Sequence, residues 1–402
     1  MADLLPVAEA VARIVAGVRP LAAETVALDA AEGRTLAEPL AARRTQPPFD
    51  ASAMDGYAVR AADLATAPAH LRLIGTAAAG TGFGGSVGPG EAVRIFTGAP
   101  VPAGADAVLI QENAEASGAG TIVAREAAKR GQFVRPAGLD FRAGAALLAS
   151  GRRLGMREIA LAAAMGYAAV PVRMRPHIAI ASTGDELVSP GVIPMGDQIV
   201  AASAPGIAAY VRSLGGEPYD FGLVADDTDA IGRTADAALA LPADVLVTLG
   251  GASVGDHDLV GAVLAAKGMA LDFWRIAMRP GKPLMFGRIG PLRVLGLPGN
   301  PVSSLVCAIL FLRPLIDALL RRPPTDISEP AVLAVDVPAN DGREDYVRAT
   351  MVVAAGLPSV TPLPVQDSSM LAVLAAADCL LIRAPGAPAG KAGDACRIIR
   401  LN

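Results

Sequence analysis

The chain has 402 residues, of which 52% are hydrophobic and 18% are charged. This composition excludes a disordered chain, and the length predicts roughly two to three domains. The formal net charge at pH 7 is -4. A surface that binds nucleic acid non-specifically is basic, so this charge argues against such a partner.

The sequence predicts a cytoplasmic protein without a membrane span. The first three residues lack the basic start and apolar core of an export signal. The longest apolar run, Val302 to Leu320, contains Arg313, Pro314 and Asp317, so we interpret it as a buried core helix. Three widely spaced cysteines have no metal-ligand spacing and indicate reduced thiols: Cys307, Cys379 and Cys396.

Residues 1–45 and 142–172 both contain predicted helices, and they flank a segment of different composition. An apolar stripe predicts a helix over Val7–Val18, and Thr25–Leu28 has the pattern of a strand. A second helix is predicted over Met156–Gly166, with the glycine as its C-terminal cap. We expect residues 1–45 and 142–172 to form one discontinuous N-terminal helical and mixed domain.

Residues 46–141 predict an inserted β module. Short apolar runs alternate there with Gly and Pro turns, and the run Gly80–Gly85 reads as a surface loop. The strand candidates are Tyr57–Val59, Leu71–Ile74, Ala92–Phe96, Ala107–Ile110 and Thr121–Val123.

Strands and helices alternate over residues 173–325, which predicts a parallel sheet with right-handed crossovers. The predicted strands are His177–Ala181, Tyr219–Val224, Val245–Leu249 and Val294–Leu297, and the predicted helices are Ser203–Leu214, Asp229–Leu241, Leu259–Lys267 and one from Val302. Residues 326–402 return to short strands and predict a small C-terminal β domain with strands Val332–Val335, Tyr346–Ala349, Cys379–Ile382 and Arg397–Ile399.

Three loops of the α/β domain should meet at one sheet edge: Ser182–Glu186, Gly250–Asp258 and Leu297–Ser304. Ligands of open α/β sheets bind outside the carboxyl ends of the strands. The glycine turn lets backbone approach a ligand, the acids that follow suit a hard cation, and a helix opened by proline seats an anion. Each loop alone is more often a turn than a binding site, but several such loops on consecutive strand-helix units are hard to explain as turns only.

The motifs of these loops occur together in one known family. They are Thr183–Leu187 (Thr-Gly-Asp-Glu-Leu), Gly250–Asp258, Arg279–Pro283 (Arg-Pro-Gly-Lys-Pro) and Leu297–Ser303, joined in the β module by Phe49–Ala58, Ile95–Pro100 and Arg135–Asp140. This combination resembles the molybdopterin molybdenumtransferase family of the bacterial MoeA type, similar to the E domain of gephyrin. The likeness spans about Pro47 to Ser304.

The resemblance implies a multidomain α/β and β fold. It would contain a central three-layer α/β domain with a parallel sheet, of the molybdopterin-binding, MogA-like kind, and a small C-terminal β-barrel domain. It also implies an activity in molybdenum cofactor biosynthesis, in which molybdate is inserted into adenylylated molybdopterin with Mg²⁺ help and AMP is released.

Site residues follow from the same resemblance. Those expected to act in catalysis are Asp55, Thr97, Glu186, Asp258 and Lys282, and those expected to hold Mg²⁺ are Glu186, Asp227 and Asp258. Substrate binding is assigned to Gly250, Gly251, Ser253, Arg275, Arg279, Pro298, Gly299, Asn300, Ser303, Arg343 and Ser368. Departures from the family pattern are Ala51 in place of the usual Asn, and Arg275 and Arg279 in place of Lys, which is not isosteric with Arg.

Two other functions stay open: a molybdopterin adenylyltransferase, which the α/β domain also resembles, and a gephyrin-like scaffold or binding protein. The resemblance implies a homodimer in which the β module of one subunit faces the α/β domain of the other. Contact with the molybdopterin adenylyltransferase and with molybdoenzyme maturation proteins is open as well. The choice between molybdate and tungstate is not encoded in these motifs.

Overall fold

The structure is a computed structural model that describes residues 4–118, 120–251, 259–354 and 356–401.

The N-terminal part of the protein joins two distant segments of the chain. Strand Ala23–Ala27 pairs antiparallel with Ala169–Arg173, and Leu40–Ala41 pairs with Ala146–Leu148. These strands and helix Met156–Ala164 enclose one apolar core made of Leu36, Leu40, Leu148, Leu154, Met165 and Val172.

Two features of this part differ from the sequence-based expectation. Residues Ala169–Arg173, which follow the predicted helix Met156–Gly166, form a strand that was not predicted, in which alternate side chains face the core. The first helix, Val7–Val15, places Val7, Ala10 and Ile14 in the core of the α/β domain and packs on helix Arg313–Leu319. Its apolar side chains therefore pack in the core of the α/β domain and not in the N-terminal core expected for residues 1–45. The exact domain boundaries stay a prediction.

The β module contains all five strands predicted for it and one more at an edge. The order across its six-stranded sheet is Ala107–Ile110, Gly56–Val59, Glu91–Ile95, Ala69–Ala77, Thr121–Ala124 and Ala114–Ala116. Apolar side chains alternate between the two faces, so that Val59 and Ala58 belong to separate cores. Short strands Ala51–Ser52 and Val134–Arg135 pair where the chain enters and leaves the module, and one-turn helices occur in it at Ala61–Leu64 and Gln111–Asn113. Another one-turn helix, Leu28–Ala30, lies in the N-terminal part.

The α/β domain has the three predicted layers. Its sheet order is Glu217–Val224, His177–Thr183, Val245–Leu249, Leu292–Leu297, Met285–Ile289 and Ala270–Trp274, and the first four strands are mutually parallel. Helices Ser203–Ser213 and Pro301–Leu319 cover one face, and helices Thr228–Ala240 and Leu259–Ala266 cover the other. The last two strands extend the parallel sheet with antiparallel pairings that the sequence pattern did not predict.

The helix that starts at Pro301 is long and apolar enough to cross a membrane by length and composition alone, but 61% of its apolar window is buried inside the protein. A wider turn at Ala308–Leu312 separates its two α-helical halves, Pro301–Cys307 and Arg313–Leu319. Its side chains fill the largest apolar cluster of the molecule, as expected for a core helix.

The C-terminal part is a closed five-stranded barrel, as predicted. Around the barrel the order is Glu344–Val352, Ser359–Pro362, Ser328–Leu333, Ala395–Arg400 and Cys379–Arg383, which pairs again with the first strand. Strand Ser359–Pro362 and the short helix Leu371–Ala375 were not predicted, because each is brief and carries little periodicity. Strand Met278–Arg279 of the α/β domain pairs with Glu344–Asp345 and ties the two domains together.

Candidate active site

Three loops at the carboxyl edge of the central sheet lie against one another. They follow the adjacent strands His177–Thr183, Val245–Leu249 and Leu292–Leu297. The N–H of Gly250 donates to the carbonyl of Leu297 at 3.2 Å. A Cβ at Gly299 would lie only 3.7 Å from the Cα of Gly250. The predicted convergence of these loops is therefore observed in their backbone contacts.

The Gly250-Gly251 turn leaves no room for side chains. Gly250 has φ +96°, and a Cβ there would lie 2.6 Å from the carbonyl oxygen of Thr183. Gly251 has φ +62°, and a Cβ there would lie 2.2 Å from Val260 Cγ2. Only glycine fits such positions without displacing neighbours. Ser253, Asp256 and Asp258, which follow in the same loop, lie outside the described residues.

Carboxylates gather beside these loops. Asp185 Oδ1 accepts the N–H of Asp226 at 3.0 Å. Burial raises the pKa of the Asp226 carboxyl, and the negative charges of Asp185 and Glu186 raise it further. Carboxylates that repel one another form an oxygen-rich position that a divalent cation would relieve. Among the residues that the structure describes, no group of three or more Asp, Glu, His or Cys side chains surrounds a single metal position.

Asp227 has a structural task in addition to its predicted role. It is the N-cap of helix Thr228–Ala240, and its Oδ1 accepts the N–H of Ala230 at 2.7 Å. Asp226, its neighbour, stands closer to the acidic group but was not predicted as a site residue. The signal was available, because Asp226 follows strand Glu217–Val224 at the same sheet edge.

The helix that begins at Pro301 receives a contact from the C-terminal barrel domain. Asn300 Nδ2 donates to Ser368 Oγ at 2.8 Å, and the N–H of Val302 donates to the Ser368 carbonyl at 3.1 Å. The structure thus brings together two predicted residues 68 positions apart. Ser303, in the first turn of this helix, is buried. Pro298 and Gly299 form the turn that leads from strand Leu292–Leu297 to Asn300.

The predicted cations Arg279, Lys282 and Arg343 differ in whether a described acid neutralises them. Arg279 donates through Nε to Asp345 Oδ2 at 3.0 Å, and this hydrogen bond raises the pKa of Arg279. Arg343 and Arg279 both contact Asp341 Oδ2, at 3.1 and 3.5 Å. Lys282 is exposed and has no ion pair with a described residue. It is therefore the predicted cation most available to a phosphate.

Arg275 is held in an unusual conformation. Its φ is +82°, its guanidinium lies 5.3 Å from the Trp274 ring centroid, and its Nε is buried without a hydrogen-bond partner among the described residues. A positive φ is costly for a residue with a Cβ, and such strain is often kept at functional sites.

Asp55 and Thr97 meet in the β module. Asp55 Oδ1 accepts both the N–H and the hydroxyl of Thr97 at 2.7 Å. The backbone hydrogen bond, followed by that of the hydroxyl, lowers the pKa of the Asp55 carboxyl, with Arg94 contributing a smaller favourable charge. Arg94, which was not predicted, donates to the Gly56 carbonyl at 3.2 Å and lies 5.1 Å from the Phe96 ring. It stands three residues before Thr97 and directly before the motif Ile95–Pro100.

The module and the α/β loops form two separate halves within one chain. Among the described residues, the hydrogen bonds and ion pairs of Asp55 and Thr97 stay within the β module. Glu186 lies at the edge of the other domain, with its carboxylate folded back toward Gly184. Ala51, which replaces a family Asn, is buried in strand Ala51–Ser52.

Comparison with known proteins matches nearly the whole chain in three consecutive pieces. Residues 5–166 match the MoeA N-terminal region (domain I and II), residues 179–318 match a probable molybdopterin binding domain, and residues 330–401 match the MoeA C-terminal region (domain IV).

Similar proteins match over most of the chain. A molybdopterin molybdenumtransferase of Bacillus subtilis is 33% identical over 98% of this chain and 94% of its own. One from Nostoc sp. is 40% identical over 74% of this chain and 69% of its own. A crystal structure of the molybdopterin biosynthesis MoeA protein from Pyrococcus horikosii matches with 29% identity and a TM-score of 0.84, covering 100% of both chains. This chain therefore belongs to the MoeA family of molybdopterin molybdenumtransferases.

Proposed function

We propose that this chain inserts molybdate into adenylylated molybdopterin with the help of Mg²⁺ and releases AMP. Its role as a molybdenum-inserting transferase of molybdenum cofactor biosynthesis rests on its family. The observation that carries the finer proposal is the convergence of the Thr183, Gly250 and Gly299 loops at one sheet edge, beside carboxylates and an exposed lysine. We also propose that the enzyme works in the cytoplasm.

The acidic group suits a hard divalent cation. Glu186 and Asp227, with Asp258 from the segment outside the described residues, are the proposed ligands, and Asp226 adds negative charge beside them. When bound, Mg²⁺ would neutralise phosphate oxygens and make AMP a better leaving group. If so, Asp258→Asn should raise the Mg²⁺ concentration needed for AMP release while substrate binding changes less.

The phosphates would be held by backbone and by cations. Glycines at positions 250 and 251 allow close approach of the main chain, and Pro298, Gly299, Asn300 and Ser303 line the start of the Pro301 helix. Lys282 supplies a positive charge that is paired with no acid in the described part of the chain. Arg279 and Arg343 are paired with Asp341 and Asp345, so an anion would have to replace a carboxylate partner to use them.

A site shared between two copies would unite the separated halves. Asp55 is ionised and fixed by Thr97 on the β module, yet bonds to no α/β loop among the described residues of its own chain. We propose a homodimer in which Asp55 and Thr97 of one subunit complete the site that contains Glu186 and Lys282 of the other.

Mixing variants tests this arrangement. After subunit exchange, Asp55→Ala mixed with Glu186→Ala should restore about a quarter of wild-type AMP release, because half of the dimers then carry one intact site. The matched control mixes Asp55→Ala with Thr97→Ala, which alter the same module and leave no intact site. Equal activity in the two mixtures, with exchange verified, would remove the shared site.

One assay separates the three functional classes. Purified protein is given adenylylated molybdopterin, molybdate and Mg²⁺, and AMP and molybdenum cofactor are measured. Release of AMP together with cofactor formation supports insertion. Production of the adenylylated pterin from molybdopterin and ATP would instead favour the adenylyltransferase, and absence of both reactions would favour a scaffold.

A further inference from the structure

An arginine-rich cleft lies between the N-terminal part and the α/β domain, away from the candidate active site. Its volume is about 1010 Å³, and seven arginines face three acids along its walls. Arg152, Arg153 and Arg157 come from the N-terminal part. Arg175, Arg212, Arg313 and Arg322 come from the α/β domain and its last helix. None of these residues belongs to the predicted site.

The acids of the cleft neutralise only part of this charge. Glu158 accepts both Nε and Nη2 of Arg152, at 3.1 and 2.5 Å. Asp317 accepts Arg322 Nη1 at 3.1 Å, and Arg313 Nε lies 3.7 Å from its other oxygen.

The other arginines are poorly paired. Arg153 donates to the Ser213 carbonyl at 2.9 Å, which is not an ion pair. Arg157, Arg175 and Arg212 make no ion pair with any residue in the described ranges. A chain of net charge -4 thus concentrates unpaired positive charge in one concave place.

Arg322 carries an unsatisfied hydrogen-bond donor in this cleft. Its side chain is 11% exposed, and its Nη2 is buried with no hydrogen-bond partner among the described residues. Burial lowers the pKa of Arg322, and the positive charges of Arg153 and Arg313 add to this effect while Asp317 opposes it. A buried guanidinium with a free N–H is costly unless a negative group reaches it.

We propose that this cleft binds a polyanion with two or more linked phosphate groups. Guanidinium groups bind phosphate oxygens in pairs of hydrogen bonds, and the cleft is larger than a single phosphate requires. Because the cationic walls come from two parts of the chain, the bound polyanion bridges them. It therefore also stabilises their relative arrangement.

Tripolyphosphate is the first probe. Calorimetric titration at constant ionic strength measures its Kd for the wild type and for the double variant Arg157→Ala/Arg212→Ala, whose side chains are exposed and whose removal should not affect folding. We expect the double variant to bind at least about tenfold more weakly, since two charge-assisted contacts are lost. Orthophosphate, with fewer charges, should bind the wild type more weakly than tripolyphosphate.

Two further variants make the test decisive. Arg72→Ala/Arg130→Ala removes the same charge from side chains of the β module that are 71% and 88% exposed, and should bind as the wild type does. Lys282→Ala reports on phosphate binding at the candidate active site and should leave cleft binding intact. Loss of affinity in Lys282→Ala alone, equal loss in both arginine double variants, or no binding by the wild type would each overturn the proposal.

Discussion

Replacing Gly250 by alanine should damage both folding and activity, and the structure gives the size of the effect. The new Cβ would lie 2.6 Å from the Thr183 carbonyl oxygen and 2.9 Å from its hydroxyl, at φ +96°. A left-handed conformation costs an alanine about 1–2 kcal/mol, of which about 0.4–1 kcal/mol is offset because alanine restricts the unfolded chain.

The steric overlap adds to this cost. Relieving it requires the backbone to move away from Thr183, which weakens the hydrogen bond from Gly250 N–H to Leu297, worth about 0.5–1.5 kcal/mol. Together these effects predict a loss of about 2–4 kcal/mol in the free energy of unfolding. A shift of about 1 Å in this turn should also lower the rate of AMP release by up to about 100-fold.

Gly268→Ala is the matched control. Gly268 has φ +89°, but a Cβ there would meet nothing within 4 Å. Its substitution therefore carries the backbone strain without the overlap, and should cost no more than about 1.6 kcal/mol once the restriction of the unfolded chain is subtracted. Urea unfolding followed by the fluorescence of Trp274, the single tryptophan, reports on the sheet that contains both turns. Equal unfolding midpoints and equal AMP release for the two variants would refute the steric reasoning.

Four other results follow from the charges of the site. Asp55→Asn should lower AMP release at least about 100-fold and lower the urea midpoint only slightly, because Asn can still accept the Thr97 hydrogen bonds although it loses the charge that strengthens them. Since the pKa of Asp55 is lowered, its protonation should not limit AMP release at any pH above about 3.9, the ordinary pKa of an aspartate. A fall in AMP release above that pH that disappears in Asp55→Asn would contradict this. The pKa of Asp226 is raised in the folded protein, so its ionised carboxylate destabilises the fold above the raised pKa, and this penalty is absent below the ordinary pKa of an aspartate. Asp226→Asn should therefore raise the thermal midpoint at pH 7.5 and leave it unchanged near pH 3. Equal shifts of the midpoint at the two pH values would contradict this direction. Arg279→Ala should lower the free energy of unfolding in urea by about 1–2 kcal/mol, because Asp345 is 7% exposed and would lose its ion-pair partner. Arg130→Ala, at an exposed arginine of the β module, is the control and should leave the free energy of unfolding almost unchanged.

Much of the fold could be predicted because its signals are local. The strands Val245–Leu249 and Ala107–Ile110 are short apolar runs bounded by turn residues, and they were predicted to the residue. The strand-helix alternation after His177 predicted a parallel sheet. From that topology came the convergence of the loops at its carboxyl edge, since neighbouring parallel strands must end on the same side. Strands Ala270–Trp274 and Met285–Ile289 were missed because their pairing is antiparallel, outside the repeating pattern.

The sequence by itself determined the elements, their layers and the family motifs, because periodicity and turn chemistry are written within a few neighbouring residues. Only the tertiary structure decided which charges face each other. Arg279 and Arg343 had been assigned alike to substrate binding, but the docking of the barrel places Asp341 and Asp345 against them and leaves Lys282 exposed. The contact of Asn300 with Ser368 and the arginine cleft arise in the same way. Each of these features joins segments that are far apart in the chain. The distances between such segments depend on how whole domains pack, and a local sequence pattern does not predict them.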